Sequence, residues 1–477
     1  MVPGDGGGAL MLGIQLERLL GAAPAGVAEA LDAVDGFDRA LVTGLGRPTP
    51  EQSAALAALA GRVAASPLGA VAAEAVEKIA AGSVSDERLA ALAAARAALL
   101  GAVHDAQLAA LDEALGRERE ECAEPGGGEP LGERLLDGAR SWLREVALVG
   151  WRGLGDDSLR GLDQALTALW AEPAARRLAV LLDGLAGELR ACLPLSTWER
   201  LPVRRWADLW ANAVLLCQPG AAGAAEAAAG PTAQVSGRLL PLGAELHEHP
   251  TAVQLLVHAL LERDGGQPAL LVRVGVGAAK VETLTGPTLW RLLGGFPALL
   301  RALAERRALT VTGLPLLAGG ELVWDESGVA LDEPADPFVT ARTQLAGALA
   351  PAVPPLRRHP VQLAEPVLLE GYRVRDGVLT LDGHRLPLDL EHLPSAGPLT
   401  PQLVKASTAC LGLLCWEDGG WSLRPLGVRA TARRQQVEAH TGDWTQGPTD
   451  PKAAKAEARW GDPVETLRER AGRLLRA

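Results

Sequence analysis

The spacing of apolar residues changes near the middle of the chain and divides the sequence into two halves. Between residues 9 and 217, Ala and Leu recur every three or four positions, and almost no stretch alternates as a strand would. This spacing predicts an all-α domain over residues 9–217. The turn EPGGGEP at residues 124–130 separates two groups of helices, so a subdivision of the domain near this turn is left open.

Several helix ends can be placed from capping residues. Thr49, followed by Pro50 and Glu51, predicts a helix that begins with a capping side chain and a proline in its first turn. The apolar run from residue 85 to residue 121 predicts either one long helix or a helical hairpin bent near Gly101. Further helices are predicted at residues 131–149, 158–170, 173–192 and 202–217.

A segment of small residues separates the two halves. Residues 218–234 combine Gly, Ala and Pro with a single charge, which predicts an interdomain linker over 218–235. Beyond it, the pattern predicts a mixed α+β domain over 236–437 with antiparallel hairpins. Its predicted strands are VSGRLLPLGAEL and PALLVRVGVG, its predicted helices are TAVQLLVHALLERDG and GPTLWRLLGGFPALLRALAERR, and its first predicted hairpin is ELVWDESGVALD.

The stretch GYRVRDGVLTLDGHRLPLDL, residues 371–390, predicts a three-stranded meander. Asp376-Gly377 and Asp382-Gly383 fall where two-residue turns require positive φ at both central positions. In the resulting registers, one face of the meander is apolar and the other is polar. The apolar face carries Tyr372, Val374, Leu379, Leu381 and Leu386, and the polar face carries Arg373, Arg375, Thr380 and Arg385.

Another hairpin is predicted in LGLLCWEDGGWSLRPLGV, with its turn at Asp418-Gly419. A turn at this position places Trp416 directly opposite Trp421. Such an aromatic pair across two strands contributes up to about 1 kcal/mol to hairpin stability.

The two ends of the chain differ from the domains between them. Residues 1–8 and 438–461 contain few large apolar residues and are predicted to be flexible. Residues 462–477 predict a helix that begins at Asp462 and presents an apolar stripe at heptad spacing to another protein. This stripe consists of Val464, Leu467, Ala471 and Leu474.

Composition limits the functions that the chain can have. The net charge of −12 repels phosphate backbones and anionic lipid heads, so nucleic-acid binding is disfavoured and no membrane association is expected. The five cysteines are scattered and include no C-x-x-C pair, which indicates reduced thiols in a cytoplasmic protein. No window of 18 uninterrupted apolar residues predicts a membrane span.

Motifs for catalysis or cofactor binding are incomplete. Gly275, Gly277 and Lys280 follow a predicted strand, but their spacing matches neither a Walker loop nor a dinucleotide fingerprint, so no cofactor is expected. His247 and His249 are two residues apart, and His258 follows in a predicted helix. These three imidazoles define an alternative function, a metal-dependent hydrolase, because histidines at such spacing can share one metal ion.

Tryptophan and arginine are concentrated in LSTWERLPVRRWADLWANAVLLC, residues 195–217. Trp206, Leu209 and Trp210 recur with helical spacing, which predicts the buried stripe of a core helix. Trp198, Arg204 and Arg205 lie beside that stripe and form a candidate protein-binding edge, because Trp and Arg are enriched at binding hot spots. The arginines of the meander, Arg373, Arg375 and Arg385, form a further candidate surface for nucleic acid or an acidic partner.

The segments WERLPVRRWADLWANAVLLC and LGLLCWEDGGWSLRPLGV resemble uncharacterised actinobacterial proteins encoded beside AAA+ ATPases and von Willebrand type domain proteins. This resemblance implies an accessory, non-catalytic member of an NTP-dependent conflict or assembly system. We therefore expect a scaffold protein whose partner is another protein, such as an AAA+ ATPase or a von Willebrand type domain protein, and self-association is also open.

Overall fold

The computed structural model describes eight stretches of the chain and two single residues near its end. The stretches are residues 15–21, 23–122, 131–195, 198–282, 284–358, 361–417, 419–432 and 435–458, and the single residues are Glu465 and Glu469. The predicted flexible start at 1–8 and the helix-capping Asp462 lie outside the described residues, as do Val464, Leu467, Ala471 and Leu474 of the predicted docking helix.

The first half of the chain is helical, as the apolar spacing predicts. We number its helices α1 to α11. They are α1 (15–21), α2 (Val27–Thr43), α3 (Pro50–Arg62), α4 (Gly69–Ala80), α5 (Asp86–Leu115), α6 (Glu133–Val149), α7 (Asp156–Arg160), α8 (Asp163–Ala171), α9 (Arg176–Ala191), α10 (Val203–Leu216) and α11 (Ala221–Ala228).

Helix α5 is the central helix of this domain. It runs unbroken through Gly101, so the single-helix alternative is confirmed and the hairpin alternative is wrong. Among the described helices it alone is long and apolar enough to cross a membrane, but most of its apolar window is buried inside the protein. This burial is typical of the core helix of a soluble domain.

Helix α10 has the predicted core stripe. Trp206 and Trp210 are fully buried, and the indole Nε1 of Trp210 donates a hydrogen bond to the backbone oxygen of Leu143 at 3.0 Å. A buried indole needs such an acceptor because an unpaired N–H inside a core is costly. The predicted cap of α3 is also present: the Thr49 side chain accepts a hydrogen bond from the Gln52 backbone in a complete capping box.

The second half combines strands with short helices, as predicted. Its strands are β1 (Pro231–Glu248), β2 (Ala252–Arg263), β3 (Leu270–Ala279), β4 (Arg307–Leu317), β5 (Glu321–Leu322), β6 (Val329–Pro334), β7 (Leu363–Glu370), β8 (Arg373–Arg375), β9 (Val378–Leu381), β10 (His384–Pro387), β11 (Ser407–Glu417), β12 (Gly420–Ala432) and β13 (Gln435–His440). Its helices are α12 (Leu289–Leu292), α13 (Pro297–Glu305), α14 (Pro337–Gln344), α15 (Pro401–Lys405) and α16 (Pro451–Ala458).

Strands β1 to β5 form a closed barrel. The strand order is β1-β2-β3-β5-β4, and β4 returns to pair with β1; all pairs are antiparallel except β3 with β5. Strand β1 belongs to both sides of the barrel, because its first half pairs with β4 and its second half with β2. It bends at Gly237, where φ is +151° and a Cβ atom would lie 2.1 Å from the backbone oxygen of Glu262.

Strands β7 to β12 repeat the same connectivity. Strands β7 and β8 together act as the first strand, since β7 pairs with β11 and β8 pairs with β9. Strand β9 pairs with β10, a parallel bridge joins Leu388 after β10 to Leu423 of β12, and β12 pairs with β11. The sequence predicts a single α+β domain over 236–437 and does not reveal this repeat.

In each barrel, the connection between the third and fourth strands contains a helix: α12 and α13 in the first barrel and α15 in the second. A five-stranded Greek-key barrel with this strand order has the connectivity of the OB-fold. Strand order alone supports this comparison. Apolar side chains, including Leu240, Leu242, Leu368 and Leu411, pack the two barrels together.

The structure confirms the predicted meander and the tryptophan pair. Asp376 and Asp382 have positive φ, as do the glycines that follow them, and Thr380 lies between Arg373 and Arg385. The leucines predicted on the apolar face are buried. Trp416 lies opposite Trp421 in the β11–β12 pair, although Asp418 in their turn is outside the described residues.

Two element predictions in the second half are wrong. TAVQLLVHALLERDG forms strand β2 instead of a helix, because the sheet neighbours on both sides and the barrel core bury nearly every position. A short, continuous apolar run does not distinguish these two structures. ELVWDESGVALD is not a hairpin, because β5 and β6 both pair with β4 and not with each other.

The segments predicted to be a linker and a flexible tail contain ordered elements. Residues 218–235 include α11 and the start of β1, and Ala225 in α11 is buried against the helical core. At the other end, Thr441 and Thr445 are buried and donate hydrogen bonds to backbone oxygens of the first barrel, those of Ala244 and Leu300. Small and polar residues fold here because neighbouring elements satisfy their backbone and hydroxyl groups.

Candidate functional site

Two of the three histidines of the predicted metal site lie beside the same carboxylate, that of Glu245. His258 lies on β2 with its Nε2 atom 2.8 Å from Glu245 Oε2, whereas His247 Nε2 is 4.0 Å from the other oxygen of that carboxylate. His249 is exposed at the end of β1. Within the described part of the chain, no group of three or more His, Cys, Asp or Glu side chains could hold a metal ion. The predicted metal site is therefore not formed.

Glu245 belongs to a chain of charged groups that joins the two barrels. Arg424 of the second barrel donates to Glu245 at 2.6 Å and to Asp389 at 2.7 Å, and Asp389 in turn contacts His392 at 2.7 Å. Burial alone would raise the pKa of Glu245, but the contacts with His258 and Arg424 outweigh it and lower the pKa to about 2. The guanidinium of Arg424 thus supplies the positive charge that faces Glu245.

This lowered pKa predicts how stability depends on pH. The stabilising charge of Glu245 is present above its ordinary pKa of 4.5 and is lost as the pH falls through about 2. We expect the free energy of unfolding to fall by about 3 kcal/mol over this window because of Glu245. Urea unfolding at a series of pH values measures the slope. In the Glu245→Gln variant, this part of the slope should disappear; an unchanged slope would contradict the assignment.

A cavity of about 500 Å³ lies between the helical domain, the first barrel and strand β7 of the second barrel. On the side of the first barrel, the cavity is bounded by the outer face of β2 and β3. On this face His258 of β2 pairs with Arg273 of β3, and Arg273 pairs in turn with Glu321 of β5. Its helical side includes His104 of α5 and Asn212 of α10. The cavity is therefore walled by parts of the chain that are far apart in sequence.

A neighbouring cavity of about 690 Å³ lies between α10, α2 and the second barrel. It is lined by Arg204 and Arg205 of α10, by Trp416 of β11 and by several leucines and valines. Asn212 and Gln362 line both cavities, so the two spaces are adjacent at these residues. We call the combined space the groove.

The arginines that line the groove are neutralised by carboxylates of the protein itself. Each guanidinium lies within 4 Å of at least one carboxylate oxygen. The pairs are Arg119 with Asp112 and Glu365, Arg273 and Arg357 with Glu321, Arg204 with Asp35, and Arg205 with Glu188. The groove therefore presents polar and apolar groups without a large surplus of positive charge.

The titratable side chains that line the groove include two histidines, His104 and His258. Among the described residues that line it there is no Ser, Thr, Cys or Tyr. Burial lowers the pKa of His104, whose Nδ1 lies 3.1 Å from Asp105. Elsewhere, burial raises the pKa of the Cys217 and Cys410 thiols to about 12, so these thiols stay protonated and unreactive.

Beneath the groove, three helices share a buried cluster of charges. Arg96 of α5 is fully buried and donates from Nε to Asp38 Oδ1 of α2 at 2.6 Å and from Nη2 to Asp38 Oδ2 at 2.9 Å. The same Nη2 lies 2.7 Å from Asp208 of α10. Burial disfavours the charged form of Arg96, but attraction to Asp38 and the hydrogen bonds outweigh it and raise the pKa of the guanidinium.

Sequence reasoning did not identify this cluster. Arg96 is the single charged residue in the apolar run LAALAAARAALLGAV, residues 89–103. A charged residue isolated in this way is the sequence feature from which a buried charge could have been predicted. Arg204, which the sequence suggested as part of a protein-binding edge, extends the cluster, since its Nη1 lies 3.5 Å from Asp38.

The remaining candidate residues occupy separate places. Arg204 and Arg205 line the groove, whereas Trp198 is 47% exposed in the loop before α10 and is outside the lining. Arg373, Arg375 and Arg385 are exposed on the second barrel, away from the groove. The structure thus separates the predicted protein-binding edge from the predicted nucleic-acid surface.

Comparison of the chain with protein-family models, with curated proteins and with solved structures found no match.

Proposed function

We propose that the protein is a non-catalytic binding protein that holds an extended segment of a partner protein in the groove. The observation that carries this proposal is the pair of neighbouring cavities between the helical domain and the barrels, whose linings share Asn212 and Gln362. Concave sites with apolar walls and a few polar groups are the usual form of binding sites.

The position of the groove on the first barrel supports the proposal. The face of β2 and β3 lines it through His258, Leu271 and Arg273. In barrels with this connectivity, the face formed by the second and third strands commonly binds ligands.

The chemistry of the lining favours a protein segment over a polyanion. A phosphate backbone needs unneutralised cations, but the arginines of the groove already pair with carboxylates. A peptide offers both apolar side chains for the walls and amide groups for Asn212 and Gln362. We propose that the partner is an AAA+ ATPase or a von Willebrand type domain protein in the cytoplasm, as the resemblance implies.

Blocking the junction of the two cavities tests the proposal. We expect Asn212→Trp to weaken binding of the partner at least about tenfold, which corresponds to about 1.4 kcal/mol, because the indole would fill the space that both cavities share. A photo-crosslinking residue at Gln362 in the native host identifies the partner, and titration calorimetry with the purified partner measures the affinity.

Asp183→Trp is the matched control, because Asp183 is exposed on α9 and does not line the groove. This variant adds an indole of the same size and should bind as the unmodified protein does. Equal affinities for both tryptophan variants, with both folded, would show that the partner binds elsewhere.

A further inference from the structure

The second barrel has an exposed face of arginines. Arg373, Arg375 and Arg385 are exposed, and Arg375 is 92% exposed at the side chain. Asp376 lies 3.4 Å from Arg375, but neither Arg373 nor Arg385 has a polar partner among the described residues. This lack of neutralisation contrasts with the groove, where the arginines are paired.

Strand pairing fixes the backbone positions from which these arginine side chains project. Arg373 and Arg385 lie on either side of Thr380, on three adjacent strands. Neighbouring strands are about 4.8 Å apart, so the two backbone positions are roughly 10 Å apart across the face. Arg373 and Arg375 are two residues apart on one strand, which places their side chains about 7 Å apart on the same face.

This face corresponds to the groove side of the first barrel. It is formed by β8, β9 and β10, and β9 and β10 are the second and third strands of the repeat, as β2 and β3 are in the wall of the groove. In the first barrel this wall faces helices α5 and α10, whereas in the second barrel the arginines face solvent. The repeated fold therefore presents two equivalent faces with different charges.

We propose that the arginine face of β8, β9 and β10 binds an extended acidic segment of a partner protein. Carboxylates at alternate positions of an extended chain are about 7 Å apart, which matches the spacing of Arg373 and Arg375. Arginine pairs with carboxylates through two parallel hydrogen bonds, so each match adds specificity as well as attraction.

A short acidic segment suits this face better than nucleic acid does. Binding of single strands without sequence preference relies on bases stacked on aromatic side chains. The described outward-facing residues of the face are Arg373, Arg375, Val378, Thr380, Arg385 and Pro387, and none of them is aromatic. The net charge of −12 also opposes a long polyanion more than a segment with a few carboxylates.

Fluorescence anisotropy with the full chain tests this second site. The probe is a labelled peptide of alternating glutamate and serine, and a peptide of alternating glutamine and serine is its neutral counterpart. We expect binding of the acidic peptide that weakens with added salt, and a loss of at least about tenfold in the Arg373→Gln/Arg385→Gln variant.

The matched control is Arg47→Gln/Arg62→Gln, which removes the same number of charges from exposed positions of the helical domain. This variant and Asn212→Trp should both keep the affinity for the acidic peptide. A failure of the groove proposal can therefore be distinguished from a failure of the proposal for the arginine face. An affinity equal in both double variants, or no binding of the acidic peptide, would overturn the proposal. Preferential binding of an oligothymidylate over the peptide would overturn it as well.

Discussion

The Arg96→Met variant is expected to lose about 3–5 kcal/mol of its free energy of unfolding, because it leaves carboxylates buried without their partner. Arg96 is fully buried, and its hydrogen bonds to Asp38 connect α5 with α2. Asp208 of α10 would lose the same guanidinium. Chemical denaturation followed by circular dichroism at neutral pH measures the loss.

The pH dependence of this variant distinguishes a buried charge from simple loss of packing. Burial already raises the pKa of Asp38, and Arg96 opposes this effect. Removing Arg96 should raise the pKa further, so the variant should gain stability relative to the unmodified protein as the pH falls. Adding Asp38→Asn and Asp208→Asn to Arg96→Met removes both orphan charges and should recover part of the loss. A triple variant that is less stable than Arg96→Met would contradict the electrostatic explanation.

Gly237→Val is expected to destabilise the first barrel by at least about 3 kcal/mol. Valine adds a Cβ atom 2.1 Å from the backbone oxygen of Glu262, and β-branched residues do not adopt a φ of +151° without strain. The bend at this position allows β1 to pair with both β2 and β4, so the substitution should open the barrel. Thermal unfolding and near-UV circular dichroism detect the change.

Gly275→Ala in β3 provides the control within the same barrel. A Cβ atom there would have its nearest neighbour at 3.8 Å, which is an ordinary contact. This variant should unfold within about 1 kcal/mol of the unmodified protein. Equal losses for the two variants would mean that the bend at Gly237 has no special role.

The elements that could be predicted from the sequence are those determined by residues close together in the chain. The meander at 371–390 was predicted with its registers because two Asp-Gly turns fix both turn type and pairing over a few residues. The helix predicted over TAVQLLVHALLERDG is wrong because its apolar positions are compatible with a buried helix and with a buried strand. The segment forms strand β2 because it pairs with β1 and β3, and a local sequence pattern does not reveal these partners.

The groove and the repeated barrel could not be predicted for a related reason. Asn212 and Gln362, which line both cavities, are 150 positions apart, and neither belongs to a motif. In the second barrel, the first strand is interrupted at Gly371, where φ is +77°, so its sequence pattern differs from that of the unbroken β1. Spatial proximity of this kind depends on tertiary packing and leaves no periodic signal.

The packing of α1 has a consequence for truncation of the protein. Leu16 and Leu19 of α1 are buried together with Leu111 of α5 against Val367 and Leu369 of the second barrel. A fragment that begins at β1 would expose this apolar surface to water, and the complementary helical fragment would expose its counterpart. Dissection of the protein at residues 218–235 should therefore yield two aggregation-prone pieces, although the sequence there has the composition of a linker.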